Sequence, residues 1–139
     1  MIINGVERAG VLDALAKLIK SLGGGNLFAV YTIIVFASVL LSAFIDNIPY
    51  VATLLPVIKT IAVAMGLTGV PYVLYFGLLT GATLGGNITP VGASANIAAI
   101  GILRKEGCEV KNRDFLRVGL PFTLVAVLVG YAYIWLVWA

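Results

Sequence analysis

Residues 21–103 carry only two charged side chains, Asp46 and Lys59. They divide that region into uncharged stretches at 22–45, 47–58 and 60–103, and a fourth uncharged stretch fills 118–139. A bilayer core about 30 Å thick is crossed by about 20 helical residues at about 1.5 Å each. Stretches of this length and polarity predict helices in lipid. The composition agrees: 61% of residues are hydrophobic and 11% are charged, against about 25% charged in soluble domains. The expected class is an all-α membrane protein.

The net charge of +3 does not point to nucleic acid. Arg104, Lys105, Lys111, Arg113 and Arg117 cluster in one polar segment, 104–117, and residues 66–70 carry no charge. That asymmetry is the positive-inside signal. It predicts a multi-pass protein of the plasma membrane, with loop 104–117 cytoplasmic. Residues 1–8 lack the basic start and apolar core of a signal peptide. The single cysteine, Cys108, falls in the loop, where it can build neither an intrachain disulfide nor a thiol metal site. There is no histidine.

Along the chain, residues 11–22 read as an amphipathic arm helix, with Leu12, Leu15, Leu18, Ile19 and Leu22 at helical spacing. It is too short to span and is expected to lie in the interface; Gly23-Gly24-Gly25-Asn26 ends it. Residues 27–65 form two apolar limbs around a tip at 46–49. Either both limbs cross the bilayer with Asp46 in a surface turn, or the pair is a re-entrant hairpin whose tip lies near the midplane. Lys59 favours re-entry. It lies ten residues past Pro49, about 15 Å along a helix. Full crossing strands it in mid-membrane, whereas re-entry lets its head reach the interface.

Residues 71–103 read as one broken helix, interrupted by Gly85-Gly86-Asn87-Ile88-Thr89-Pro90-Val91-Gly92-Ala93-Ser94-Ala95-Asn96. Irregular backbone at membrane depth persists only inside protein or beside a wet cavity. The final helix is expected at 118–138, with Pro121 near its start. Tyr131, Tyr133, Trp135 and Trp138 read as an aromatic belt at the opposite interface, so the C-terminus is expected outside.

The tip and the break share one physical design. Each exposes carbonyls at one half-helix end and N–H groups at the next, an arrangement that marks ion sites in secondary transporters. A carboxylate at the bilayer centre costs about 2.5–3.5 kcal/mol on insertion scales, so Asp46 is expected to have a partner. The candidate ion- or substrate-binding residues are Asp46, Asn47, Asn87, Thr89, Ser94 and Asn96. Their oxygens suit a hard cation, with bound Na⁺ expected at Asp46, Asn47, Asn87 and Asn96, or a proton at Asp46. Pro49, Gly85, Gly86, Pro90 and Gly92 are assigned to the breaks themselves. Plainer readings stand beside these. Asp46 serves as an N-cap, the Gly/Pro run is a kinked structural helix, Ser42 packs helices, and Thr80, Gly81, Thr83, Gly85 and Gly86 make a close-packing face.

At these two motifs, Ser42-Ala43-Phe44-Ile45-Asp46-Asn47-Ile48-Pro49 with Pro56 and the 85–96 run, the chain resembles the ion transporter superfamily. That group includes arsenite permeases, NhaD-type sodium/proton antiporters, citrate carriers and sodium-coupled dicarboxylate symporters. The resemblance runs from about Gly10 to the C-terminus. It implies one unit of an inverted-repeat fold: arm helix, re-entrant hairpin, broken helix and final helix. It also implies that the other repeat lies elsewhere, in the same or another chain, with this unit as the C-terminal one. The dicarboxylate branch carries Ser-Asn-Thr at the tip, where this chain has Asp46-Asn47-Ile48.

The expected function is half of a secondary active ion transporter, cation-coupled or antiport. Its partners would be membrane lipid, the missing repeat and a small inorganic or organic ion such as sodium, arsenite or citrate, with no nucleic acid. The competing reading is a membrane scaffold or accessory subunit. An enzyme is not expected, because no paired catalytic groups occur within the apolar stretches.

Overall fold

The computed structural model describes residues 18, 19, 21, 23–68 and 71–139. Five helices follow in order: α1 (Leu27–Ser42), α2 (Asn47–Ala64), α3 (Tyr72–Gly85), α4 (Ser94–Lys105) and α5 (Asn112–Trp138). There is no strand among the described residues. Leu18, Ile19 and Ser21 are helical; the remainder of the expected arm helix 11–22 lies outside the described residues.

Local chemistry explains the start of α1. Gly24 and Gly25 turn with φ of 58° and 78°, a region that favours glycine. Asn26 then caps the helix, its Oδ1 accepting from the Phe28 N–H at 3.0 Å. In α2, Pro56 removes one intrahelical donor. Threonine hydroxyls donate to backbone carbonyls beside both of the helix's prolines, Thr53 to Pro49 O at 2.8 Å and Thr60 to Pro56 O at 3.2 Å.

The helix ends differ from those expected. The hairpin turn occupies 43–46, so Asn47 opens α2 and Pro49 lies in its first turn rather than at the tip. The loop expected at 104–117 is confined to 106–111. Arg104 and Lys105 form the last turn of α4, where cations complement the exposed carbonyl end, and Asp114 sits in the first turn of α5, where an anion suits the N–H end. The final helix therefore begins at Asn112 rather than 118 and runs for 27 residues, about 40 Å. Pro121 lies inside it, not at its start.

Helix α3 is the centre of the assembly and touches α1, α2 and α5. Helices α1 and α3 run parallel, because successive glycines of α3 meet successive turns of α1. A Cβ built at Gly77 would fall 2.6 Å from the Tyr31 ring, one at Gly81 2.5 Å from the Val35 carbonyl, and one at Gly85 2.5 Å from the Val39 carbonyl. Small residues let membrane helices approach at backbone distance, and this stripe contains Gly81 and Gly85 of the expected close-packing face. Thr80 meets α5 at Gly130, while Thr83 is exposed.

Helix α5 runs antiparallel to α3. Its Trp138 lies on Tyr72 and Phe76 at ring separations of 5.3 and 5.1 Å, while Thr123 reaches the Leu84 carbonyl. The same end gathers the start of α1. Tyr131 stacks on Tyr31 at 5.0 Å, and Trp135 meets Phe28 at 4.7 Å. Tyr31 OH donates to the Tyr131 carbonyl at 2.9 Å. The aromatic residues of α5 are thus divided. Tyr131 and Trp135 join α1 to α5, while Tyr133 remains 63% exposed.

The core holds Tyr31, Val35, Ile58, Ile61, Leu74 and Leu78. The outer surface is apolar as well: Leu136 is 82% exposed and Ile48 76%. By length and composition α2 and α5 are able to cross a membrane, and only 28% and 17% of their apolar windows are buried. Core helices of a water-soluble protein would be mostly buried. Helices α1 and α3 are shorter apolar helices.

Candidate functional site

Four helix ends converge on one region. Helix α1 stops at Ser42 and α3 at Gly85, each presenting carbonyls; α2 starts at Asn47 and α4 at Ser94, each presenting N–H groups. The sequence dictates these stops. Asp46 and Asn47 interrupt one apolar helix, and the Gly, Pro and Asn residues of 86–92 interrupt the other.

The two interruptions are joined by side chains. Ser94 Oγ donates to Asp46 Oδ2 across the gap between hairpin and break. Thr89 Oγ1 donates to the Ala43 carbonyl at the end of α1. Ser42 Oγ donates to the Ala82 carbonyl. Gly92 fits because it has no side chain: a Cβ there would lie 2.9 Å from the carbonyls of both Ser42 and Ala43 and 2.6 Å from that of Gly86. Thr89 and Ser42 are buried, whereas Asp46 is part-exposed.

These contacts fix where the Asp46 carboxylate lies. By backbone position it is the N-cap of α2, but its side chain makes no capping bond. The carboxylate faces α4 instead. A serine hydroxyl is a good partner for it, since a donor to an ionised oxygen makes a stronger bond than a neutral pair.

Asn96 is bonded within the break. Its Nδ2 donates to the carbonyls of Gly86 at 2.9 Å and Thr89 at 3.1 Å. Both amide hydrogens are therefore committed to the break, which Asn96 closes on itself, and only Oδ1 remains as a free acceptor. Asn87 sits in the break with its carbonyl facing α5, where a Cβ at Gly119 would come within 2.5 Å of it. It lines a groove of about 590 Å³ together with Asp114, Phe115 and Phe122. Among the described residues no hydrogen bond links Asn87 or Asn96 to Asp46. Asn47 shares the tip with Asp46 and is half-buried. Pro49, Gly85, Gly86, Pro90 and Gly92 all lie at or beside the two interruptions.

The sequence predicts exposed carbonyls at both interruptions but not which ones are bonded, those of Ala43 and Ala82. Helix ends leave their last carbonyls unpartnered, so the signals are the stop after Ser42 for Ala43 and the stop after Gly85 for Ala82.

Every side-chain donor observed in these contacts is directed at a protein oxygen. Ser42, Thr89, Ser94 and Asn96 all donate inward, which leaves lone pairs and the second oxygen of Asp46. What remains beside these bonds is the lone pairs of the hydroxyls, the second Asp46 oxygen and the N–H groups that open α2 and α4.

No solved structure matches the chain. Sequence relatives are found in bacteria and mammals. An uncharacterized transporter of Mycobacterium tuberculosis is 35% identical over 98% of this chain and 32% of its own length. An uncharacterized transporter of Synechocystis is 35% identical over 98% of this chain and 34% of its own length. The human P protein is 39% identical over 78% of this chain and 13% of its own length. The chain thus spans about a third of the length of the bacterial relatives it matches. These names are those of transporters where they name an activity, and none is that of an enzyme. The family described as citrate transporter matches residues 1–139, over the hairpin and the broken helix alike, and the chain belongs to that family.

Proposed function

We propose that this chain is one repeat of a secondary active ion transporter of the plasma membrane, cation-coupled or antiport, whose ion binds where the hairpin tip meets the broken helix. The observation that carries the reading is the Asp46–Ser94 contact within a set of side chains whose donors are already committed. An intramembrane carboxylate needs a partner. A hydroxyl supplies one without neutralising it, and a cation or a proton completes the charge balance. An anionic substrate, citrate by the family's description, would meet the N–H ends of α2 and α4 only after Asp46 is neutralised, which gives a physical reason for coupling. The hairpin is re-entrant in this reading, and the basic loop is cytoplasmic.

The site is completed by a second repeat, in the same or another chain. What supports this is length: the chain covers 32% of its mycobacterial relative. Coupled uptake in proteoliposomes tests the proposal, comparing this chain alone with the longer protein that contains it. Cation-dependent flux by the longer protein, lost on Asp46→Ala, is expected. Flux independent of sodium and of a proton gradient, and unchanged by that substitution, overturns the coupling role.

A further inference from the structure

Lys59 is the only charged side chain within α1, α2 and α3, and no aspartate or glutamate lies on those helices to pair with it. It is exposed. It lies on an outward stripe of α2 with Ala52, Leu55 and Pro56, and Tyr75 of α3 closes the other wall of a groove of about 530 Å³. Its height is fixed by its neighbours. Lys59 is five residues from Ala64, the last residue of α2, about 7.5 Å along the helix. Tyr75 is in the first turn of α3, beside the Tyr72–Trp138 contact. The lysine therefore stands one to two turns below the aromatic end of the bundle, within reach of the interface by extension of its side chain. The described residues of the connection after α2, Met65–Thr68 and Pro71, carry no charge that could compete.

We infer that Lys59 and the Leu55–Pro56–Tyr75 groove form a binding site for an acidic phospholipid, with the ammonium on the headgroup phosphate and an acyl chain against the Pro56 face of α2. The argument is charge complementarity in lipid. An ammonium without an ion pair among the described residues, on an apolar face, stabilises an anion placed at headgroup height, and the apolar groove below it fits a hydrocarbon chain rather than a second polar group. A carboxylate from another part of a longer protein is the competing occupant. It would exclude lipid from the groove.

The test places a reporter in the groove. Leu55→Trp, in a Trp135→Phe/Trp138→Phe background, is reconstituted in vesicles with equal fractions of brominated phosphatidylglycerol or brominated phosphatidylcholine. Quenching about threefold stronger with the acidic lipid is expected, abolished by Lys59→Gln and retained by Lys59→Arg. Equal quenching by the two lipids overturns the site, as does a preference that survives Lys59→Gln. Should the tryptophan replacements prevent folding, native mass spectrometry on otherwise unaltered protein reads the same point. Lys59→Gln should lose bound phosphatidylglycerol that Lys111→Gln, at the far end of the bundle, keeps. Equal losses in the two variants reject the proposal.

Discussion

Ser94, the first residue of α4, donates its hydroxyl to Asp46, a residue 48 positions earlier in the chain. That contact joins the two places where apolar helices stop, and it makes the charge at the tip a property of both elements. An acidic residue used only as a cap would bond to its own helix. This one does not.

Asp46→Asn separates the two roles. Asparagine caps a helix about as well as aspartate and still accepts from Ser94 through its Oδ1, so insertion and folding should be unchanged. The negative charge is lost, and with it the attraction for a cation. In a reconstituted transporter, coupled flux should fall at least about tenfold, about 1.4 kcal/mol of lost interaction. Wild-type flux with unaltered sodium and pH dependence would leave Asp46 with no binding role.

Gly81→Val tests the parallel packing of α1 on α3. The new side chain would begin 2.5 Å from the Val35 carbonyl and 2.8 Å from Ser38 Cβ, neither of which is a flexible tip. The helices must separate, at a cost of about 1–3 kcal/mol for overpacking. Thermal denaturation in detergent should show a lowered midpoint, whereas Gly101→Val, at a glycine with nothing within 4 Å, should leave it nearly unchanged. Equal midpoints for the two variants would contradict the close approach.

The two interruptions were legible because a carboxylate, or glycine and proline in close succession, rarely sits inside apolar sequence without stopping a helix there. That signal points to Asp46, Thr89 and Ser94, and the structure bonds all three across the hairpin–break gap. Less legible was the division of labour. Asn96 reads as a ligand in sequence, and nothing there shows that its amide is also directed at Gly86 and Thr89, where a broken helix needs its own carbonyls satisfied. The helix ends near Lys105 and Asn112 were also hidden. Polar residues in that segment read as loop, although charges of the right sign stabilise helix termini. Nor does a glycine in sequence reveal which neighbour it admits; Gly77 meets the Tyr31 ring rather than a backbone.

Cys108 offers a direct test of orientation. It is exposed and lies in the short loop between α4 and α5, on the side where the basic residues cluster. A membrane-impermeant maleimide should label it in inverted vesicles but not in intact cells. In a Cys108→Ser background, a cysteine replacing Ala139 should show the opposite pattern, because α5 ends at the aromatic side of the bundle. Labelling of both positions from the same side rejects the topology.

Asn96→Ala addresses the break itself. The amide of Asn96 satisfies the carbonyls of Gly86 and Thr89 at 2.9 and 3.1 Å, and alanine leaves both short of a donor. Each lost bond of this kind costs about 1–3 kcal/mol when the acceptor is away from water. Gly86 is buried and Thr89 is 9% exposed, so little solvent compensates. The variant should therefore lose stability and transport together. Asp46→Asn should lose transport alone. Asn96→Asp sharpens the contrast, since a carboxylate keeps the acceptor oxygen of the side chain but turns both former donor contacts into oxygen–oxygen repulsion. If Asn96 were mainly an ion ligand, the aspartate variant would fold normally and bind the cation at least as well. If Asn96 holds the break closed, that variant should be the least stable of the three in thermal denaturation, and added sodium should not restore its midpoint to the wild-type value.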